Sequence, residues 1–303
     1  ERPNLLPGMA VEVRGRTDRG EFAPTVVDAR VKILGRGRQF APLRVLSPDA
    51  LGVSDENRWA SARGTVRRIT PGDVYGVRVE MSVAGRPMIF QLAGTGRPET
   101  LASWIDGELE VEGVLSPLYD QFRHLLGYRL YSPGRDFVKV IRAAPADPLA
   151  GEAAALMSLQ QFQYKGASDH RIKVAGSVTR VGRDSSVFIS DGEFGLELRG
   201  YGGANLGVGD VLEAAGFPSM GGLERGLDGV VLRKTGRRRL ERHQEIEAEE
   251  ALAGGVDSRL VRLEGLLTER ESMHGDAILS LAAGKISFLA SLSQPQPSAR
   301  LAG

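Results

Sequence analysis

The chain has 303 residues, of which 42% are hydrophobic and 25% charged, a composition typical of folded globular domains. Lys plus Arg (39) nearly balances Asp plus Glu (38), so no overall positive field favours a polyanion as ligand. The chain has no cysteine, which excludes disulfides and thiolate metal sites. It also has no apolar run of about 18 residues, the length that predicts a membrane-spanning helix.

A strand-like segment that ends in glycine recurs six times, at Gly15, Gly64, Gly113, Gly176, Gly216 and Gly265. One type continues as strand after the glycine, as in RWASARGTV (58–66), HRIKVAGSV (170–178) and RLVRLEGLL (259–267). The other type has a turn glycine upstream and a glutamate three residues before its last glycine, at Glu12, Glu110 and Glu213. The two types alternate, which predicts tandem units of about 100 residues with two similar strands each.

The first two segments differ in completeness. Residues 1–45 predict a partial unit that contains only strands 4 and 5 of a barrel. Residues 46–145 predict a complete barrel behind a short leading helix. Its strands are expected at 59–69, 74–83, 88–92, 108–115 and 126–131, with 137–141 as an extension of the last.

The second half repeats this organisation. Residues 146–240 predict a linker helix near Leu156 and a complete barrel, in which Ile172, Val174 and Val178 alternate with less apolar residues as in a half-buried strand. Asp191-Gly192 predicts a hairpin. Further strands are expected at 187–190, 196–199, 211–215 and 230–234. Residues 241–303 predict a second linker helix and strands 1 to 3 only.

Five short strands, the first of them long and bent near a glycine, are typical of a small Greek-key barrel of the oligonucleotide/oligosaccharide-binding (OB) type. The expected fold class is therefore all-β, with tandem five-stranded OB-like barrels joined by linkers with short helices. The partial units at the two ends either belong to barrels whose other strands are missing or complete each other. Because an open half-barrel would expose sheet edges, we expect them to pair, within one chain or in a homodimer. The sequence opens within a repeat and lacks both Met and a signal peptide, and we interpret it as a fragment or a processed product.

No catalytic, cofactor-binding or metal-binding residue is predicted. The four histidines are scattered without the spacing of metal ligands, and the motifs of nucleophilic hydrolases, P-loops and Rossmann sites do not occur. Glu12, Glu110 and Glu213 occupy equivalent places in three repeats, which indicates a structural role. The chain is therefore expected not to be an enzyme.

OB barrels bind ligands at strands 2 and 3 and the flanking loops. By that analogy the candidate contact residues are aromatic: Phe188, Phe194, Tyr201, Tyr119 and Tyr128. Nucleic acid is not expected as a partner, because aromatics make up only 6% of the chain and the net charge is +1. The basic run 237–239 lies in a linker and is followed by five glutamates between 241 and 250.

Four segments resemble the extracytoplasmic, OB-like repeats of bacterial membrane-bound sensor proteins, which carry a histidine kinase or diguanylate cyclase on the cytoplasmic side. They are RGRTDRGEFAPTVVDARVKILGRG (14–37), ADPLAGEAAALMSLQQFQYKGASDHRIKVAGSVT (146–179), GDVLEAAGFPSMGGL (209–223) and DSRLVRLEGLLTER (257–270). The hairpin ISDGEFGLEL (189–198) departs from the family's QDGTGGI-like pattern. The sequence contains neither membrane anchor nor output domain, and no binding residue can be carried over.

The resemblance implies a non-enzymatic sensory module on the periplasmic, or another extracytoplasmic, side of a membrane. Such a module would be tethered to the membrane in the full-length protein and would bind a small molecule, a glycan or a protein. Any enzymatic activity would then belong to the absent output domain. Two alternatives are kept: a single-stranded nucleic-acid-binding OB-fold protein, and an accessory binding module of a secreted enzyme.

Overall fold

The computed structural model describes residues 5, 7–19, 25–37, 41–72, 76–94, 96–122, 124–161, 169–182, 186–202, 205–219, 226–239, 243–253, 256–273 and 276–292. The chain divides into two compact units, residues 1–146 and 147–303. The predicted all-β fold class is confirmed, since strands dominate both units and the helices are short. No helix in the described residues is long and apolar enough to cross a membrane.

In the described residues of the first unit there are nine strands: β1 (Met9–Asp18), β2 (Thr25–Arg36), β3 (Leu43–Val45), β4 (Trp59–Pro71), β5 (Val77–Val83), β6 (Arg86–Leu92), β7 (Glu108–Tyr119), β8 (Leu125–Ser132) and β9 (Val138–Arg142). β1 and β2 form a separate antiparallel ribbon. β4, β5, β6, β8 and β7 follow one another in hydrogen-bonded order, and a pairing between β4 and β7 closes the circuit into a barrel.

The part of the second unit that the structure describes contains ten strands and two helices. They are α1 (Leu156–Gln161), β10 (Ile172–Val181), β11 (Ser186–Ser190), β12 (Gly195–Arg199), β13 (Asp210–Pro218), β14 (Gly226–Arg237), β15 (Gln244–Glu245), α2 (Ala248–Ala253), β16 (Val261–Arg262), β17 (Leu266–Met273), β18 (Asp276–Ala283) and β19 (Ile286–Leu292). β10–β11–β12–β14–β13 form a closed barrel, and β17–β18–β19 form a three-stranded sheet.

Both barrels have the same connectivity, in which strand 3 runs parallel to strand 5 while the other neighbours are antiparallel. In β10 and β11 the residues that point inward, Val174, Val178, Val187 and Ile189, are fully buried. Period-two alternation thus builds each core from one face of every strand. The two cores are separate clusters, around Phe90 in the first barrel and around Leu198 in the second.

The first strand of each barrel bends where a glycine passes close to a neighbouring backbone. At Gly64 a Cβ atom would lie 2.1 Å from the carbonyl oxygen of Ser82 on β5. At Gly176 the equivalent distance to the carbonyl oxygen of Ser190 is 3.0 Å. A side chain at the first position cannot be accommodated without moving the main chain, so glycine is required there to close the barrel.

We expect Gly64→Ala to destabilise the first unit by about 1–3 kcal/mol, because the added methyl group forces the backbones of β4 and β5 apart. Thermal unfolding followed by circular dichroism measures this loss. Gly52→Ala is the matched control, since a Cβ atom at Gly52 meets nothing within 4 Å. Equal melting temperatures for the two variants would contradict the steric requirement.

The recurrent glutamate of strand 4 joins three strands of the second barrel. Glu213 on β13 binds Lys173 on β10 through Oε1 (2.9 Å) and Arg233 on β14 through Oε2 (2.6 Å). The hydrogen bond from Arg233, with a second from Lys173, lowers the pKa of Glu213 below its ordinary value. A structural role for this glutamate, as its repetition indicates, agrees with these contacts.

Because the pKa of Glu213 is lower in the folded than in the unfolded chain, its ion pairs stabilise the fold above the unfolded-state pKa. That stabilisation is lost as the pH falls through the folded-state pKa. We therefore expect Glu213→Gln to reduce the loss of melting temperature between pH 7 and about pH 3, measured by calorimetry. Glu193→Gln, at a residue with no ion pair to any described residue, is the control and should follow the wild-type pH profile. A Glu213→Gln profile identical to wild type would refute the linkage.

The extension of strand 5 expected at residues 137–141 is confirmed. After the 3-10 turn Arg135–Phe137, β9 pairs antiparallel with Glu108–Val111 of β7, along the same edge on which β8 pairs with Val114–Tyr119. One detail differs from the sequence-based expectations. The leading helix expected before Trp59 consists of two 3-10 turns, Pro48–Ala50 and Val53–Asp55.

Candidate functional site

One outer face of the second barrel carries hydroxyl groups. Val178 and Ile189 point into the core, so strand alternation directs Ser177, Thr179 and Ser190 outward. Ser177 on β10 and Ser190 on β11 are cross-strand partners. The face therefore presents hydrogen-bonding groups from two adjacent strands.

The hairpin between β11 and β12 forms one rim of this face. The N–H of Gly192, which has a φ of +108°, donates to Oγ of Ser190 (3.0 Å). Oδ1 of Asp191 accepts the N–H groups of Glu193 (3.0 Å) and Phe194 (2.8 Å). These local bonds fix the tip of the hairpin and hold the Asp191 carboxylate against its own loop.

Arginines from the chain beyond β14 form the opposite rim. Arg238 and Arg239 follow the last residue of β14, and the N–H of Arg238 donates to the carbonyl of Gly209 (2.7 Å). Arg259 comes just before β16, and its Nη2 donates to Oε1 of Gln244 (2.5 Å). Arg239 has no hydrogen-bond or ion-pair partner among the described residues.

These elements enclose a cleft of about 130 Å³, which we call the basic cleft. Its lining consists of Ser177, Thr179, Ser190, Asp191, Gly192, Arg238, Arg239, Gln244, Arg259 and Leu260. Among the described residues, the lining includes three arginines, one aspartate and three residues with hydroxyl side chains. Guanidinium groups bind carboxylates and phosphates in two-pronged geometry, so this arrangement can hold an oxyanion.

The five aromatic candidates do not gather at one place. Tyr128 and Tyr201 are buried in the cores of the first and second barrels, so their rings support the fold and are not available as exposed platforms. Tyr119 is half-buried at the end of β7. Phe194 is half-buried and packs against the second core.

Phe188 lies on the same outer strand face as residues of the basic cleft. It lies two residues before Ser190 on β11, so both side chains are on the outer face of that strand. Its carbonyl accepts a hydrogen bond from Thr179 Oγ1 (3.2 Å), a residue that lines the cleft. The guanidinium carbon of Arg180 lies 5.4 Å from the Phe188 ring centroid, within the range of a cation–π contact.

No protein-family model and no curated protein matches the chain. Solved structures show a slight likeness. One is a murine DNA-binding protein bound to double-stranded DNA (11% identity, TM-score 0.25), with coverage of 60% of this chain and 98% of that one. Another is p202 HIN1 in complex with 12-mer double-stranded DNA (12% identity, TM-score 0.23), with coverage of 62% and 100%. A third is the tetrameric p202 HIN2 (9% identity, TM-score 0.24), with coverage of 59% and 95%.

The expectation that nucleic acid is not a partner of this chain is corrected, because its premise, the near-neutral net charge, does not hold at the basic cleft. The basic run 237–239 is followed by glutamates in the sequence. In the fold, Arg238 and Arg239 line the basic cleft. Net charge is a property of the whole chain, whereas a ligand meets a local surface.

The sequence interpretation overlooked Arg239 and Arg259 as site residues. Two features of the sequence could have indicated the site: a dense basic run directly after strand 5, and hydroxyl side chains on strand 1. Within the described part of the chain, no group of three or more His, Asp or Glu residues could hold a metal ion. The arrangement is suited to binding an anion by charge and hydrogen bonds.

Proposed function

We propose that the chain is a binding module of OB-type barrels whose basic cleft holds a backbone phosphate of a single-stranded nucleic acid. The observation that carries this proposal is the convergence of Arg238, Arg239 and Arg259 on the hydroxyl-bearing face of β10 and β11. Single-strand binders of this fold combine a positive groove for the backbone with aromatic rings for the bases. The slight likeness to DNA-bound structures has no part in it.

The face beyond the cleft supports a strand rather than an isolated ion. Phe188 continues the outer face of β11 past Ser190, and Arg180 lies over its ring. A nucleotide whose phosphate occupies the cleft could place its base on this ring, where stacking contributes about 1–3 kcal/mol per base. The β11–β12 hairpin that borders the cleft belongs to the strand 2–3 surface by which OB folds bind oligonucleotides.

The proposal predicts that Arg239→Gln and Arg259→Gln each weaken binding of a labelled single-stranded DNA of about 12 nucleotides by roughly three- to tenfold. Fluorescence anisotropy of the full chain measures this affinity. For the wild type, the logarithm of the association constant should fall with the logarithm of salt concentration with a slope of about −2, as expected for two or three phosphate contacts.

Arg44→Gln is the matched control, since it removes one positive charge from an exposed position in the first unit. It should leave the affinity within a factor of about two of wild type, because a diffuse charge effect is small at physiological salt. An equal loss for all three variants, or no binding by the wild type, would overturn the proposal.

A second candidate is the sensory module that the sequence resemblance implies, with a small anionic molecule as ligand. The cleft volume of about 130 Å³ favours it, since this space suits one phosphate or carboxylate group. The variant Phe188→Leu distinguishes the two candidate functions. If the chain binds nucleic acid, this variant should weaken oligonucleotide binding but leave stabilisation by inorganic phosphate unchanged. A chain stabilised by phosphate or a small carboxylate that has no affinity for oligonucleotide would favour the sensory function.

A further inference from the structure

The β1–β2 ribbon has the construction of strands 4 and 5 of a barrel. In the second barrel the pairing of β13 with β14 has irregularities between Val211 and Leu212 and between Ala215 and Phe217. The ribbon has irregularities at the two corresponding places, after Ala10 and after Arg14. The ribbon is therefore in the same register, and β1 corresponds to β13 residue by residue.

The β17–β18–β19 sheet has the construction of strands 1 to 3. The pairing of β17 with β18 is irregular after Leu267, as β10–β11 is after Val178 and β4–β5 is after Val66. Gly265 thus corresponds to Gly176 and Gly64 at the corners of the complete barrels. Within the described residues, the sheet contains no counterpart of strand 4 or strand 5.

Residues that form the cores of the complete barrels are exposed at the equivalent places in these two elements. Leu212 and Ala214 of β13 are fully buried, whereas Val11 and Val13 of β1 are 39% and 47% exposed. Val178 of β10 is fully buried, whereas Leu267 is 52% exposed. The ribbon and the sheet therefore each expose apolar residues at positions that form the core of a complete barrel. The ribbon supplies strands 4 and 5, which the sheet lacks, and the sheet supplies strands 1 to 3, which the ribbon lacks.

We propose that the β17–β19 sheet of one chain is completed by the β1–β2 ribbon of a second copy, which forms a composite five-stranded barrel. β1 would pair antiparallel with residues 261–266, and β2 would run parallel to β19. The register of the complete barrels, in which Gly176 faces Leu212 and Gly64 faces Leu109, places Gly265 opposite Val11. A second copy is the occupant because every chain carries one ribbon and one sheet, and the two match in register and in their apolar positions.

Charge placement agrees with this register. Glu213 lies between Arg233 of strand 5 and Lys173 of strand 1. Its counterpart Glu12 faces Lys32 of β2 within the ribbon, and the register brings Arg262 to the place of Lys173.

Like charges also meet in this register, since Glu264 faces Glu12 and Arg14 faces Arg262. Each carboxylate then has a guanidinium as its diagonal neighbour, within reach of long side chains. The arrangement offsets the direct repulsion in the composite barrel.

Because the ribbon and the sheet are different surfaces, the contact is head-to-tail, and it produces closed rings or open chains of copies. Sedimentation velocity of the full chain should therefore show species larger than one chain that increase with concentration. Val13→Asp should abolish them, since it places a charge in the composite core. Val53→Asp, at a residue that is 72% exposed in the first unit, is the matched control and should leave assembly unchanged.

A cross-linking experiment tests the register directly, because the chain has no native cysteine. Chains with Ala10→Cys are mixed with chains with Leu266→Cys, which the register places opposite each other as Val211 and Ser177 are in the second barrel. Opposed strand residues lie within the Cα separation of a disulfide. Oxidation should give a disulfide-linked pair in several-fold higher yield than a mixture of Ala10→Cys with Leu46→Cys, whose side chain is also exposed.

No excess over this control would overturn the proposal. A disulfide that forms within a chain carrying both Ala10→Cys and Leu266→Cys, but not between mixed chains, would also overturn it, since the ribbon and sheet would then belong to one copy.

Discussion

Both barrels depend on one long strand that must pair with two neighbours on either side of a glycine corner. β10 pairs with β13 up to Ser177 and with β11 from Ser177 onward, and β4 divides its pairing between β7 and β5 in the same way at Thr65. The corner brings the first strand against a carbonyl oxygen of the second. At Gly64 the distance leaves no room for a side chain, and at Gly176 the contact is close. Without it the sheet would stay open, with exposed edges and no enclosed core.

The basic cleft follows from that closure. Once Val178 and Ile189 point into the core, the strand period fixes the hydroxyls of Ser177 and Ser190 on the outside. β14 then ends beside β13, where Arg238 bonds to Gly209, and the chain that follows brings its arginines over the hydroxyl face. The site is therefore built from three distant parts of the sequence that the barrel brings together.

The sequence was sufficient for the fold class and most strands, because alternation, turn residues and the repeated glycine are local signals. Asp191-Gly192 predicted its hairpin for this reason. The cleft was missed, because it depends on long-range contacts: Arg259 is distant from Ser177 in sequence. The tyrosines were selected by their place in loops and strand ends, but burial depends on packing that the sequence pattern does not encode.

An NMR titration of the isotope-labelled full chain with single-stranded DNA tests directly whether the basic cleft binds a nucleic acid. Chemical-shift changes should be concentrated at Ser177, Thr179, Ser190 and Gly192, together with the side-chain Nε–H groups of Arg239 and Arg259. Changes confined to other surfaces, such as β17–β19, or no changes at concentrations that saturate an OB-type binder, would contradict it.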